Sequence, residues 1–268
     1  MNDYRAAPIG VFDSGVGGLT VITEMIREIP RESYIYYADT AHVPYGSRQM
    51  EELKEFAASI TGFLLEQSCK MIIIACNTST SIAFDELKKK FSRPIIGVIE
   101  PGADQALRVT KNNKIGLIAT EATVKSGAYQ KTLLRKNPAV EVTAVACPLF
   151  VNLVEKGEVN GPKVCRAAKE YLQPLKTQGI DCLILGCTHY PYLLPVILDI
   201  LGPGVTFVDP ARETVRLAKK MLDTLALSNQ EENPSRQYYV SGDPENFQRM
   251  GKFFLHQEIK NVRAISLD

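Results

Sequence analysis

Two stretches decide how this chain folds: MIIIACNTST at residues 71–80 and CLILGCTHYP at residues 182–191. Each is an apolar run of strand length that stops at a cysteine, with small hydroxyl or amide side chains close behind. Runs without polar alternation are what strands covered on both faces require, as in a parallel sheet. Outward from these two, β-rich runs recur at residues 8–12, 34–37, 94–98, 114–119, 140–145 and 205–208. Between most of them lie segments with apolar residues at three- and four-residue spacing, among them 50–67, 81–90, 162–176 and 211–227, which is helical periodicity. Strands alternating with helices build βαβ units. The predicted class is α/β, with mainly parallel sheets flanked by helices.

The chain also echoes itself. PIGVFDSGVGGLTVITEM from Pro8 resembles KIGLIATEATVKSGAYQKTL from Lys114, an offset of 106 residues from Ile9 to Ile115. The two cysteine stretches share the order strand, Cys, helix, strand, acid, Pro, with 111 residues between Cys76 and Cys187. Such offsets are too long for a solenoid and suit two similar lobes. Boundaries near Glu100–Pro101 and Asp209–Pro210 are expected, and the residues alone leave open which lobe the tail from Ala211 joins.

Composition narrows the function classes. The apolar fraction of 45% and charged fraction of 23% are those of an ordinary soluble globular chain. A net charge of +1 gives no electrostatic case for nucleic acid or an anionic membrane as partner. The start MNDYRAAPIGVFDSG does not read as a signal peptide, and no uncharged apolar run of about 18 residues exists to span a bilayer. A cytoplasmic setting is expected, with the six cysteines reduced.

The thiols at the two strand ends carry the chemistry. In parallel α/β sheets ligands bind beyond the carboxyl ends of the strands, where the next helix points its N-terminus. Cys76 and Cys187 both take that position, so each is expected to be a reactive thiol with its pKa lowered by the helix end. Cys69, Cys147, Cys165 and Cys182 read as small packing residues. Asp13 and Ser14, in FDSGVGG after the first strand, offer a carboxylate for an ammonium group or a thiol, or a helix cap. The glycines there permit a tight turn or close backbone approach. Pro44, Tyr45, Gly46 and Ser47 form a turn whose amides suit a carboxylate, or a plain surface loop. His189 stands two residues past Cys187 and suits proton transfer; His42 and His256 read as surface or satisfied histidines. Glu155 is a partner for His189 or a solvated helix residue.

A cysteine protease needs one thiol with a histidine base; a second would be idle. A zinc site from Cys76, Cys187 and His189 lacks a local ligand pair. Inverting a stereocentre, by contrast, needs two acid-base groups on opposite faces of one carbon. A two-lobed protein that merely closes on an amino acid is the non-catalytic rival, and leaves the paired thiols without a purpose.

The motifs GVFDSGVGGLTV, YGSR, ACNTS, CPLFV with LVE close behind, and GCTHYP, in this order, resemble the glutamate racemases of the aspartate/glutamate racemase superfamily. That resemblance spans Pro8 to the helix after Asp209. It implies cofactor-independent interconversion of L- and D-glutamate, supplying peptidoglycan synthesis in a bacterial cytoplasm, with neither pyridoxal phosphate nor metal. It further implies two α/β lobes with the active site between them, residues 1–99 plus 210–268 forming one and 100–209 the other, and commonly a homodimer. Cys76 is then the base toward D-glutamate and Cys187 the base toward L-glutamate, with Asp13 assisting Cys76, and His189 with Glu155 assisting Cys187. Ser14, Tyr45, Gly46, Asn77, Thr78, Thr120 and Thr188 match substrate-binding positions. Three residues depart from the pattern: Ala119 stands where glycine is often seen, Ser79 replaces a common alanine and Asn152 a common proline. Neither Ser79 nor Asn152 is expected to touch the thiols. Specificity for aspartate instead of glutamate depends on pocket length, which spacing does not measure.

Overall fold

The computed structural model describes residues 4–255 and 257–267; His256 lies outside them. The first half runs β1 (Ile9–Asp13), α1 (Leu19–Glu28), β2 (Tyr34–Ala38), α2 (Met50–Glu66), β3 (Met71–Ile74), α3 (Asn77–Lys90) and β4 (Ile95–Gly97). There follow α4 (Ile99–Val109), β5 (Lys114–Ala119), α5 (Glu121–Ser126), α6 (Ala128–Lys136), β6 (Glu141–Ala146), α7 (Pro148–Glu155), α8 (Pro162–Gln178), β7 (Cys182–Gly186), α9 (Leu194–Leu201) and β8 (Thr206–Val208). The tail adds α10 (Pro210–Thr224), β9 (Arg236–Val240), α11 (Pro244–Leu255) and β10 (Val262–Ala264).

The strands form two sheets, ordered β10-β9-β2-β1-β3-β4 and β6-β5-β7-β8, with every pairing parallel. The order β2-β1-β3-β4 reappears as β6-β5-β7-β8, so the sequence echo corresponds to one topology used twice. Each sheet's central strand, β1 or β5, neighbours the strand that ends at a reactive-thiol candidate. Every residue of β1 and β3 is buried. Phe12, Ile72 and Ile74 pack with Ala57, Ile60 and Leu64 of α2 on one face. Ile9, Val11, Met71 and Ile73 pack on the other with Leu19 and Ile22 of α1, in an apolar seam that continues to Phe150, Leu183 and Leu185. The second sheet's opposite face places Ile115, Leu117 and Ile184 against Ala103 of α4 and Leu133 of α6.

The tail extends the first sheet: β9 pairs with β2 and β10 with β9. Neither strand appears among the runs read from sequence. Arg236 and Gln237 interrupt the first, and the second is a three-residue edge strand with two exposed positions, which polar residues suit. The helix expected from residue 81 begins four residues earlier, at Asn77, because Cys76 caps it with extended backbone and a sulfur that accepts the Ser79 N–H. The proposed boundaries at 100 and 209 both fall where helices open, α4 and α10. Among the described residues no helix is long and apolar enough to cross a membrane.

Candidate active site

Ser14, Tyr45, Gly46, Cys76, Asn77, Thr78, Thr120, Cys187, Thr188 and His189, joined by Val151, line one tight cavity of about 10 Å³, room for little more than a water molecule. Residues more than a hundred positions apart meet there because both sheets present their carboxyl edges to the same space. The cavity is nearly closed, with Cys76 4% exposed and Cys187 6%. Hydroxyls, amides and thiols line it; no Lys or Arg does. Asp13 and Glu155 stand behind this lining, fixing other groups.

Asp13 ends β1, fully buried. Its Oδ2 accepts the Gly15 N–H at 3.0 Å and its Oδ1 accepts the Thr188 hydroxyl at 3.1 Å, across the cleft. Burial raises its pKa, opposed by His189, the Gly15 and Gly18 amides and Thr188. The glycines of FDSGVGG serve close approach: a Cβ on Gly15 would lie 2.5 Å from Glu155 Oε1, and one on Gly17 would lie 2.7 Å from His189 Nδ1.

Cys76 meets the helix N-terminus as expected, but the expected lowering of its pKa does not occur. Burial pushes the thiol up to about 12, and the nearby Asp13 carboxylate pushes the same way; the Ser79 hydroxyl and amide oppose them. One helix end stabilises a thiolate far less than water does, so burial prevails. Ser79 does touch the thiol, contrary to expectation: its N–H lies 3.4 Å from Cys76 Sγ. Asn152 is exposed on α7.

Cys187 is followed by a 3₁₀ turn at Tyr190–Leu193, and α9 opens only at Leu194. Pro191 and Pro195, which lack an N–H, interrupt what would otherwise be an immediate helix. Cys187 therefore lacks the expected helix cap and has a side-chain partner instead. His189 Nδ1 lies 3.6 Å from its sulfur, and His189 Nε2 lies 2.6 Å from Glu155 Oε1 at the end of α7. Burial lowers the imidazole's pKa, but the sulfur and the Glu155 carboxylate outweigh it, so His189 titrates well above the usual histidine range.

Further side chains tie the two lobes together at the cavity. The Thr78 hydroxyl lies 2.9 Å from that of Thr120 and 3.3 Å from that of Thr123, and the Tyr129 hydroxyl donates to Asn77 Oδ1 at 2.7 Å. Tyr45 donates to Asp39, which also holds His42 Nδ1 at 2.8 Å. Thr123, Tyr129, Asp39 and Val151 are absent from the sequence reading. Only Thr123, three residues after Thr120 as in a helix cap, had a local signal. The remaining cysteines stay apart: Cys69, Cys147 and Cys182 are buried, and Cys165 is half-buried on α8. Among the described residues no group of three His, Cys, Asp or Glu is arranged to hold a metal ion.

Known proteins share this fold. Residues 9–218 match the model of the Asp/Glu/Hydantoin racemase family. A glutamate racemase of Desulforudis audaxviator is 47% identical over 97% of this chain and 97% of its own length. The crystal structure of glutamate racemase isoform RacE1 from Bacillus anthracis superposes with a TM-score of 0.95 at 37% identity, covering 98% of both chains. That of Francisella tularensis glutamate racemase in complex with D-glutamate gives 0.93 at 39% identity, over 98% of this chain and 99% of the other. With two like-ordered parallel sheets closing over a pair of thiols, the chain belongs to the Asp/Glu/Hydantoin racemase family.

Proposed function

We propose that this protein interconverts L- and D-glutamate by passing protons between Cys76 and Cys187 through the α-carbon. The observation that carries the reading is the pair of strand-end thiols, one from each sheet, on a single closed cavity. From L-glutamate, Cys187 removes the α-proton, while the His189 imidazolium held by Glu155 offsets the charge on that sulfur. Cys76, whose raised pKa keeps it protonated at neutral pH, gives its proton to the opposite face of the carbanion. The reverse reaction exchanges the roles. Asp13, behind the lining near Cys76, acts on that thiol through its charge and orients the Thr188 hydroxyl at the cavity. Amides and hydroxyls of Ser14, Tyr45, Gly46, Asn77, Thr78, Thr120 and Thr188 hold the two carboxylates. Preorganised donors of this kind stabilise developing negative charge in a site from which water is excluded.

The same reading divides the chain into lobes of residues 1–99 plus 210–268 and residues 100–209. It assigns the protein to the cytoplasm as a homodimer, making D-glutamate for peptidoglycan. Supporting it are the relatives named glutamate racemase. The test is to incubate the pure protein, dialysed against a chelator and without pyridoxal phosphate, with L-glutamate or L-aspartate, and to resolve the enantiomers by chiral chromatography. D-glutamate is the expected product. Faster turnover of aspartate, or turnover of neither, overturns the substrate assignment; activity restored only by a metal overturns the cofactor-free chemistry.

A further inference from the structure

Ser79 sits in the first turn of α3, fully buried, and is not among the cavity-lining residues. Its main-chain N–H points to Cys76 Sγ at 3.4 Å. Its side-chain Oγ is buried and, among the described residues, completes no hydrogen bond of ordinary geometry, although it faces the Cys76 sulfur closely enough to favour a charge there. A buried hydroxyl left unpaired costs stability, and native proteins rarely retain one without use. The group it influences is the Cys76 sulfur, where it opposes the effect of burial. As a thiol, Cys76 makes little demand on a second donor; as a thiolate it becomes a strong acceptor.

We propose that the Ser79 hydroxyl is a positioning donor held in reserve for the Cys76 thiolate, forming its hydrogen bond only when that sulfur is ionised. Ser79 then acts through Cys76 and touches no substrate. The inference rests on the two-thiol reading above. It implies a difference between the half-reactions, since the side-chain partner of Cys187 is the His189 imidazole. Stabilising the thiolate raises the ionised fraction more than it weakens the base, because proton transfer realises only part of a change in pKa. The hydroxyl therefore lowers the barrier at the Cys76 step and leaves the Cys187 step alone.

The equilibrium between enantiomers is fixed by symmetry, so any substitution must change kcat/KM equally in both directions; isotope effects carry no such constraint. In Ser79→Ala, kcat/KM is expected to fall about three- to tenfold in both directions. The α-deuterium isotope effect on kcat/KM should grow with D-glutamate, whose proton Cys76 removes, and shrink with L-glutamate. Ser79→Thr, which keeps a hydroxyl, should stay near wild type in both isotope effects. Isotope effects that stay at wild-type values in Ser79→Ala, or that move in the same direction for both enantiomers, overturn the proposal. A failure of the two-thiol reading shows separately, as a Cys76→Ser variant that keeps its turnover; that result removes the base Ser79 serves and overturns both.

Discussion

The carboxyl ends of β3 and β7 are topologically the same place, and each delivers a cysteine to the same cavity. Their surroundings differ. Cys76 caps a true α-helix, takes a main-chain N–H from Ser79 and stands near the buried Asp13 carboxylate. Cys187 precedes a 3₁₀ turn that carries Pro191 and is paired with an imidazole, itself gripped by Glu155. The first thiol is held in its protonated form; the second has a cation beside it. One strand order used twice brings two thiols to one cavity, while the residues around each sulfur give it its own charge environment. In the two-thiol reaction proposed above, one base and one acid are needed at the same moment, and this asymmetry suits that starting state.

The largest expected effect erases the pair. Cys76→Ser or Cys187→Ser replaces a thiol by a hydroxyl far harder to ionise, and each should lower turnover by at least ~10³-fold. Cys69→Ser and Cys165→Ser should change only packing and thermal stability. Steady-state rates for the four variants check this, and near-normal activity in Cys187→Ser breaks the comparison altogether.

The next effect sharpens the difference between the two sides. Glu155→Gln removes the carboxylate that, with the Cys187 sulfur, favours the protonated form of His189, so turnover should fall about 10²-fold. The alkaline limb of the pH–rate profile should move to lower pH. The sign follows from linkage: His189 titrates above its unfolded value, so the stability it contributes is fully present below about pH 6.5 and is lost as pH rises through the folded pKa. In Glu155→Gln that loss should begin at lower pH, as melting temperatures across the alkaline range would reveal.

Smaller again is Gly15→Ala. The added carbon would lie 2.5 Å from Glu155 Oε1 and 3.2 Å from Val43 Cγ2. Glu155 can swing away, but only by loosening its hold on His189. About tenfold loss of kcat is expected, with the same alkaline shift as Glu155→Gln in weaker form. The smallest effect belongs to the ties between lobes. Tyr129→Phe leaves Asn77 Oδ1 without its donor and should raise KM about three- to tenfold with little change in kcat. A drop in kcat instead would place Tyr129 in the chemistry and not in closure.

What could be read from the sequence was whatever repeats or sits close together along the chain. The strand-end cysteines, the echo of Pro8 in Lys114 and the pairing of Cys187 with His189 are all local patterns, and the topology and most of the cavity lining follow from them. Tyr129 and Asn77 meet across 52 residues, and no periodicity announces such a contact. The role of Gly15 is likewise invisible until Glu155 is seen against it. The pKa of Cys76 departs from the value its position predicts for a physical reason. Position at a helix end is legible, whereas the degree of burial that overrides it depends on how closely the second sheet approaches. Strands β9 and β10 escaped because short edge strands with polar residues carry little apolar signal.

The central claim, one thiol for each face, is tested most directly by racemisation in heavy water from pure L-glutamate, with the separated enantiomers weighed by mass spectrometry at low conversion. The first D-glutamate formed should carry deuterium at the α-carbon, delivered by Cys76 after exchange with solvent. Unreacted L-glutamate should remain protiated, because return to it uses the proton still on Cys187. Starting from D-glutamate, the pattern should mirror this. Substantial protium carried into product, or label entering substrate and product in parallel, would contradict the assignment and point to a single base serving both faces.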